Sequence, residues 1–173
     1  MGELIQQKPV KLIASIIFKD KEVLADAEGK LKKLYGPGEE LELTLPFDKT
    51  DYYYPEMGEP LERKLICFKK LVNKEKIEGI KIASNRIEDL FKNGGKRSIN
   101  IDPGYVTEAK LVLLTTKDYT HRVYIGRKIF AESALFFQNE TFNPWPWTYP
   151  DYASDEMVGY FNKVRALYMD QYK

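Results

Sequence analysis

The sequence predicts an α+β fold, on three observations. Apolar positions alternate with period two in several short segments, and recur at helical spacing in longer ones between them. Turn residues separate the two kinds of segment. The first apolar segment, Val10 to Phe18 (VKLIASIIF), is apolar on both alternating faces, which suits a central strand covered on both sides.

Taken in order, Asp20 is placed to cap a helix in which Leu24, Ala27, Leu31, Leu34 and Tyr35 share a face. Gly36-Pro37-Gly38 ends it. Leu41 to Phe47 alternates as a second strand, and Asp48 to Pro60 reads as a long irregular loop. Leu61 to Leu71 is a third strand. Asn73 caps a helix through Phe91, and Asn93-Gly94-Gly95 terminates it. Ser98 to Asp102 alternates as a fourth strand, which Asp102-Pro103-Gly104 is expected to stop.

The order strand, helix, strand, strand, helix, strand is the ferredoxin-like βαββαβ pattern, with two helices on one face of an antiparallel sheet. The remainder reads as a helix–hairpin–helix extension. Thr107 starts a short helix through Leu114. A hairpin from His121 to Gln138 turns at Gly126-Arg127-Lys128. Prolines 144, 146 and 150 impose an extended course, and Ser154 caps a last helix. The expectation is one domain over 1–173, with a core at about 8–103 and the extension at about 104–173. The extension would roof the open face of the sheet, and seams of that kind favour ligand sites.

Composition narrows the function classes. The 173 residues are 43% hydrophobic and 31% charged, with a net charge of +1. That balance gives no global attraction to nucleic acid or to an anionic membrane. Cys67 is the single cysteine, so there is neither a disulfide framework nor a cysteine zinc site. No apolar stretch approaches the ~20 residues of a membrane helix. MGELIQQKPVK lacks the form of a secretory signal. These points predict a cytoplasmic protein.

Several strings are distinctive: FDKTDYYYPEMG (47–58), NIDPGYV (100–106), AKLVLLTTKDYTHRVYIG (109–126) and PWTYPDY (146–152). By them the chain resembles, over nearly its whole length, the prokaryotic family catalogued as domain of unknown function 4416. The resemblance implies kinship without an activity. A GTP-binding label attached to some relatives has little support here. A phosphate loop needs a glycine, four residues, then Gly-Lys-Ser/Thr. Gly94-Gly95-Lys96-Arg97-Ser98 lacks the leading glycine and has Arg97 in the Ser/Thr position.

His121 is the only side chain with an unperturbed pKa near neutrality, which makes it the candidate acid/base group, with Asp102 or Asp118 to orient it. A hydrogen-bonded surface histidine is the plainer alternative. Lys117, Arg122 and Arg97 are candidates to hold a phosphate or carboxylate; Asn100 and Tyr105 complete the candidate ligand-binding set. The acids Asp48, Asp51, Glu56, Asp102 and Glu132 show no metal-ligand spacing, so no metal is assigned and the cofactor stays open. The leading expectation is a binding protein or enzyme for a small anionic ligand, phosphate-bearing or nucleotide-like. A non-catalytic protein-interaction module using the aromatic loops and an RNA-binding module are the alternatives. The oligomeric state stays open.

Overall fold

A computed structural model describes residues 2–171. Its strands are β1 (Lys11–Phe18), β2 (Gly38–Pro46), β3 (Glu62–Phe68), β4 (Ile99–Val106), β5 (Lys110–Thr115), β6 (Val123–Gly126), β7 (Ile129–Gln138) and β8 (Thr141–Pro144). Its helices are α1 (Lys21–Tyr35), α2 (Tyr54–Met57), α3 (Ile77–Leu90) and α4 (Asp155–Gln171). The strands form one sheet in the order β2-β3-β1-β4-β5-β7-β6, with β8 beside β7, and every pairing is antiparallel. The protein is therefore α+β, an eight-stranded antiparallel sheet with four helices.

β1 is buried at all eight positions because both its faces are covered. Leu12, Ala14, Ile16 and Phe18 pack with Leu24, Ala27 and Leu31 of α1 and Ile77, Ile80 and Ile87 of α3. On the opposite face, Ile13 of β1 joins Leu65, Val106, Leu111 and the α4 residues Met157, Tyr160, Phe161 and Val164. Burying such side chains contributes roughly 1.5–3 kcal/mol each. The α1 cap is as expected: Asp20 accepts from the Glu22 and Val23 amides. Asn73 caps a 3-10 turn, Lys74–Lys76, and α3 follows at Ile77. The far end of α4 is tied to β1, where the fully buried Lys11 donates to Glu39 Oε1 and to Gln171 Oε1.

Four expectations are corrected. Thr107 starts no helix. Its hydroxyl accepts from the Ala109 and Lys110 amides to form a turn, and Lys110–Thr115 is a strand paired on both sides. The apolar run LVLL is too short to show helical periodicity; strands pair with both its edges, and its faces are buried in the two cores, Val112 and Leu114 in one and Leu111 and Leu113 in the other. The extension is accordingly strand-rich rather than helix–hairpin–helix.

Asp102-Pro103-Gly104 does not stop β4, which runs through it to Val106. The register with β1 is unbroken from Lys11↔Val106 to Phe18↔Ile99. Pro103's missing N–H therefore points away from β1, where no ladder bond is lost.

The Asp48–Pro60 loop contains α2. The proline-bearing segment starts as β8, reached from β7 through a two-residue turn at Asn139 and Glu140, both with positive φ. The expected β6–β7 hairpin is present. It turns at Arg127 and Lys128, which also take positive φ (53° and 65°).

Gly104 is needed for a close approach: a Cβ there would sit 2.4 Å from the Val112 carbonyl oxygen and 3.2 Å from Ile13 Cδ1. Gly104→Ala is expected to destabilise the fold by about 1–3 kcal/mol, as overpacking does. Urea unfolding measures this, and an unchanged midpoint contradicts the packing described.

Candidate functional site

β4 and β5 pair only through Gly104–Val106 and Leu111–Leu113, while β5 continues along β7 to Thr115. The sheet forks beyond Gly104. Pro103 has no N–H to offer β5. One residue pair further on, Ile101 turns both backbone groups into the gap, and α3 takes them instead. Glu88 Oε1 accepts from the Ile101 N–H at 2.6 Å, and Lys81 Nζ donates to the Ile101 carbonyl at 2.9 Å. Residues 81 and 88 are seven apart, two turns of helix, so both lie on the face of α3 turned to the sheet. Lys81 also bonds Asp102 Oδ1 at 3.0 Å, and Asn100 Nδ2 donates to Asp102 Oδ2 at 2.7 Å.

The fork opens into a cavity of about 510 Å³, within the roughly 300–1,000 Å³ typical of small-ligand pockets. Asn100 and Asp102 of β4 and Lys81 and Glu88 of α3 form its floor. Arg63 of β3 forms another wall. Its guanidinium donates to Asp151 and lies over the rings of Phe47 (4.8 Å) and Tyr152 (5.0 Å). Its Nε is buried without a hydrogen-bond partner among the described residues. The exposed lining residues mark the mouth: Lys49 and Tyr52 from the loop after β2, Lys117 from the loop after β5, and Tyr149, with the largely buried Arg122 beneath them. Lys117 donates to the Tyr52 hydroxyl, with its ammonium 4.4 Å from that ring's centre. Arg122 donates to the Lys117 carbonyl and to the Tyr149 hydroxyl, each at 3.1 Å.

Six cations and four carboxylates line this space. The inner charges are compensated in pairs, Lys81 with Asp102 and Arg63 with Asp151. Burial pushes the Asp102 carboxyl up, but the Lys81 ammonium and the hydrogen bonds from Lys81 and Asn100 outweigh it, and the net shift is downward. Burial holds Glu88 above the usual carboxylate range, against the opposing pull of Lys81 and of the Ile101 amide. At the mouth, Lys49 is paired with the exposed Asp48 at 3.7 Å, whereas Lys117 has no carboxylate partner among the described residues, so the uncompensated cation there is Lys117.

Of the sequence-predicted residues, Asn100, Asp102, Lys117, Arg122 and Arg97 line the cavity. Arg97 is committed to the protein. It makes a two-pronged contact with Glu56 (2.9 and 2.8 Å) and donates to Asn100 Oδ1 at 2.8 Å. Tyr105 does not reach the space, because its ring belongs to the core on the α1 and α3 side. His121 does not line it either. Glu132, on β7, is the carboxylate on the imidazole, at 3.0 Å from Nε2, and not Asp102 or Asp118. Arg122 Nε donates to the same Glu132 oxygen at 2.7 Å, so His121 holds from behind the acid that Arg122 pairs with. Asp118 is exposed, outside the lining.

Trp147 is stacked between Trp145 (5.1 Å) and His121 (5.7 Å), which uses its ring faces for packing. Among the described residues no three His, Cys, Asp or Glu side chains are grouped as metal ligands, and no helix is long and apolar enough to cross a membrane.

Sequence reasoning missed Arg63, Lys81 and Glu88. Their signal was present: Lys81 and Glu88 interrupt the apolar stripe Ile77, Ile80, Ile87 of α3, and Arg63 shares a strand face with Leu65 and Cys67. Charges at core-facing positions are seldom buried without a partner or a role.

The fold and site together define an α+β protein with a charged cavity opened by a split in its sheet. The chain belongs to the family described as Domain of unknown function (DUF4416), whose model matches residues 8–168. No curated protein and no solved structure matches it.

Asp102 predicts a pH dependence. A carboxyl held below its unfolded value of ~3.9 adds stability that is complete above that value and is lost as pH falls through the lower folded value. Glu88, held high, works with the opposite sign and favours the fold as it protonates. Asp102→Asn is therefore expected to lower stability at pH 7 and to differ progressively less from the parent chain as pH drops below about 4. Urea unfolding at pH 7, 5 and 3 measures this, and a difference that stays constant with pH contradicts it.

Proposed function

We propose that the protein binds a small anionic, phosphate-bearing ligand in the fork between β4 and β5. One observation carries the reading: a cavity of about 510 Å³ whose other charges are matched in pairs while its mouth keeps an uncompensated cation, Lys117. An anionic group at the mouth supplies the missing charge, and the charge-assisted hydrogen bonds it accepts are the strong kind. Arg122 adds a guanidinium whose orientation is fixed by Glu132, itself held by His121. In this reading His121 is a positioning residue, because the imidazole stands behind Glu132 and outside the lining.

Two finer readings belong with this proposal. The order β2-β3-β1-β4, with α1 and α3 packed on one face, supports treating the N-terminal half as ferredoxin-like. The buried Cys67 thiol, which burial pushes up to about 11, is inert and fits a cytoplasmic setting.

The test is calorimetric titration of the chain with inorganic phosphate and pyrophosphate. Binding is expected, and it should weaken as salt rises. Lys117→Gln, at an exposed position, is expected to reduce affinity about three- to tenfold with an unchanged melting temperature, in line with roughly 1 kcal/mol for a charge-assisted bond at a surface site. Absence of binding by both compounds and by every organic phosphate tried, or full affinity in Lys117→Gln, overturns the proposal.

A further inference from the structure

The charge of the cavity is divided along its depth, and the division points to a ligand class. At the inner end stand Asn100, Asp102, Lys81, Arg63 and Asp151. Asn100 is 3% exposed, Lys81 4% and Arg63 9%. Lys81 neutralises Asp102, and Arg63 neutralises Asp151. What this end presents is therefore a mixture of donors and acceptors with no uncompensated charge. Asp102 keeps a third of its side-chain surface exposed, so its oxygens can accept further hydrogen bonds beside those from Lys81 and Asn100. Carboxylate, amide and guanidinium side by side suit hydroxyl groups, each of which donates once and accepts as well. The outer end carries an uncompensated positive charge at the exposed Lys117, beside the Lys49–Asp48 pair.

Aromatic rings also line the space. Tyr149, 51% exposed, stands at the mouth and bonds Arg122 through its hydroxyl, while the other rings are engaged with protein groups. Tyr52 lies under the Lys117 ammonium and against the Tyr53 ring at 4.9 Å. Tyr53 meets Phe47 at 5.8 Å and Arg97 at 5.7 Å. Tyr152 is stacked on Phe161 at 6.0 Å, with Arg63 also against its ring. Base recognition ordinarily draws on an available ring face; the inner rings are spent on the protein's own cations and core, and Tyr149 offers one only at the mouth.

Resting on the phosphate reading above, we infer that the ligand is a phosphorylated polyhydroxy compound, such as a sugar phosphate. Its hydroxylated body lies inward against Asp102, Asn100 and Arg63, and its phosphate lies at the Lys117 end. A nucleotide satisfies the mouth equally well but leaves its base without a stacking partner in the interior. Inorganic phosphate satisfies only the mouth.

Isothermal titration of the full chain with glucose 6-phosphate, ribose 5-phosphate, glycerol 3-phosphate, AMP and inorganic phosphate tests this. At least one of the three polyol phosphates is expected to bind tenfold or more tightly than inorganic phosphate, and more tightly than AMP. Asp102→Asn is expected to remove most of that advantage, read as the ratio of polyol-phosphate to inorganic-phosphate affinity in the same variant. AMP binding tightest, or polyol phosphates no tighter than inorganic phosphate, overturns this inference and leaves the phosphate reading standing. No binding by any of the five overturns both. The ranking on the unaltered chain decides the matter by itself if Asp102→Asn does not fold.

Discussion

Two side chains of α3 do the work of a strand. Where β5 parts from β4, the Ile101 N–H and C=O need partners, since a buried backbone group left unpaired costs as much as a lost hydrogen bond. Glu88 accepts from the N–H and Lys81 donates to the carbonyl. A water-lined gap would also satisfy Ile101 but would not fix the geometry. The side chains do fix it, because both project from a helix whose Ile77, Ile80 and Ile87 are anchored in the core. The fork is thereby a defined opening in a sheet that is otherwise continuous.

Everything proposed about the site follows from that opening. Lys81 reaches through the gap to Asp102, which places a compensated carboxylate on the inner floor. Asn100 links this pair to Arg97, and Arg97 fastens the loop that carries Glu56, along with Tyr52 and Tyr53, over the cavity. On the far side, β5 and β7 bring Lys117, Arg122 and Glu132 to the opposite lip. Buried ion pairs are poor sources of stability, since desolvation offsets most of the attraction. Four carboxylates line the cavity, and the nearly buried Glu88 and Glu132 among them are a weak source of stability, which favours the ligand-site proposal.

The elements were legible in the sequence wherever the pattern was local. β1, α1 and the β6–β7 hairpin follow from periodicity, caps and turn chemistry, each set by residues near one another in the chain. The failures were tertiary. LVLL becomes a strand because β4 and β7 lie on either side, which a six-residue window does not contain. Pro103 sits inside β4 because its nitrogen faces the fork, and a Pro-Gly pair otherwise reads as a stop. The polar face of β4, with Asn100 and Asp102, was visible as alternation and does line the cavity. Its partners Arg63, Lys81 and Glu88 come from two other elements, β3 and α3, and were hidden among ordinary surface charges. His121 drew the eye as the lone imidazole, yet its neighbour is Glu132 on β7, a contact that depends on how the loop after β5 folds back.

Amide hydrogen exchange at Ile101, followed by NMR in the parent chain and in Glu88→Ala, tests the fork most directly. In the parent chain the Ile101 amide is predicted to be protected like its neighbours in β4. In Glu88→Ala it is predicted to lose protection by an order of magnitude or more while the Tyr105 amide, inside the β4–β5 ladder, keeps its own. Equal protection of Ile101 in both proteins would mean that β5, and not α3, is its partner, and the fork would not exist.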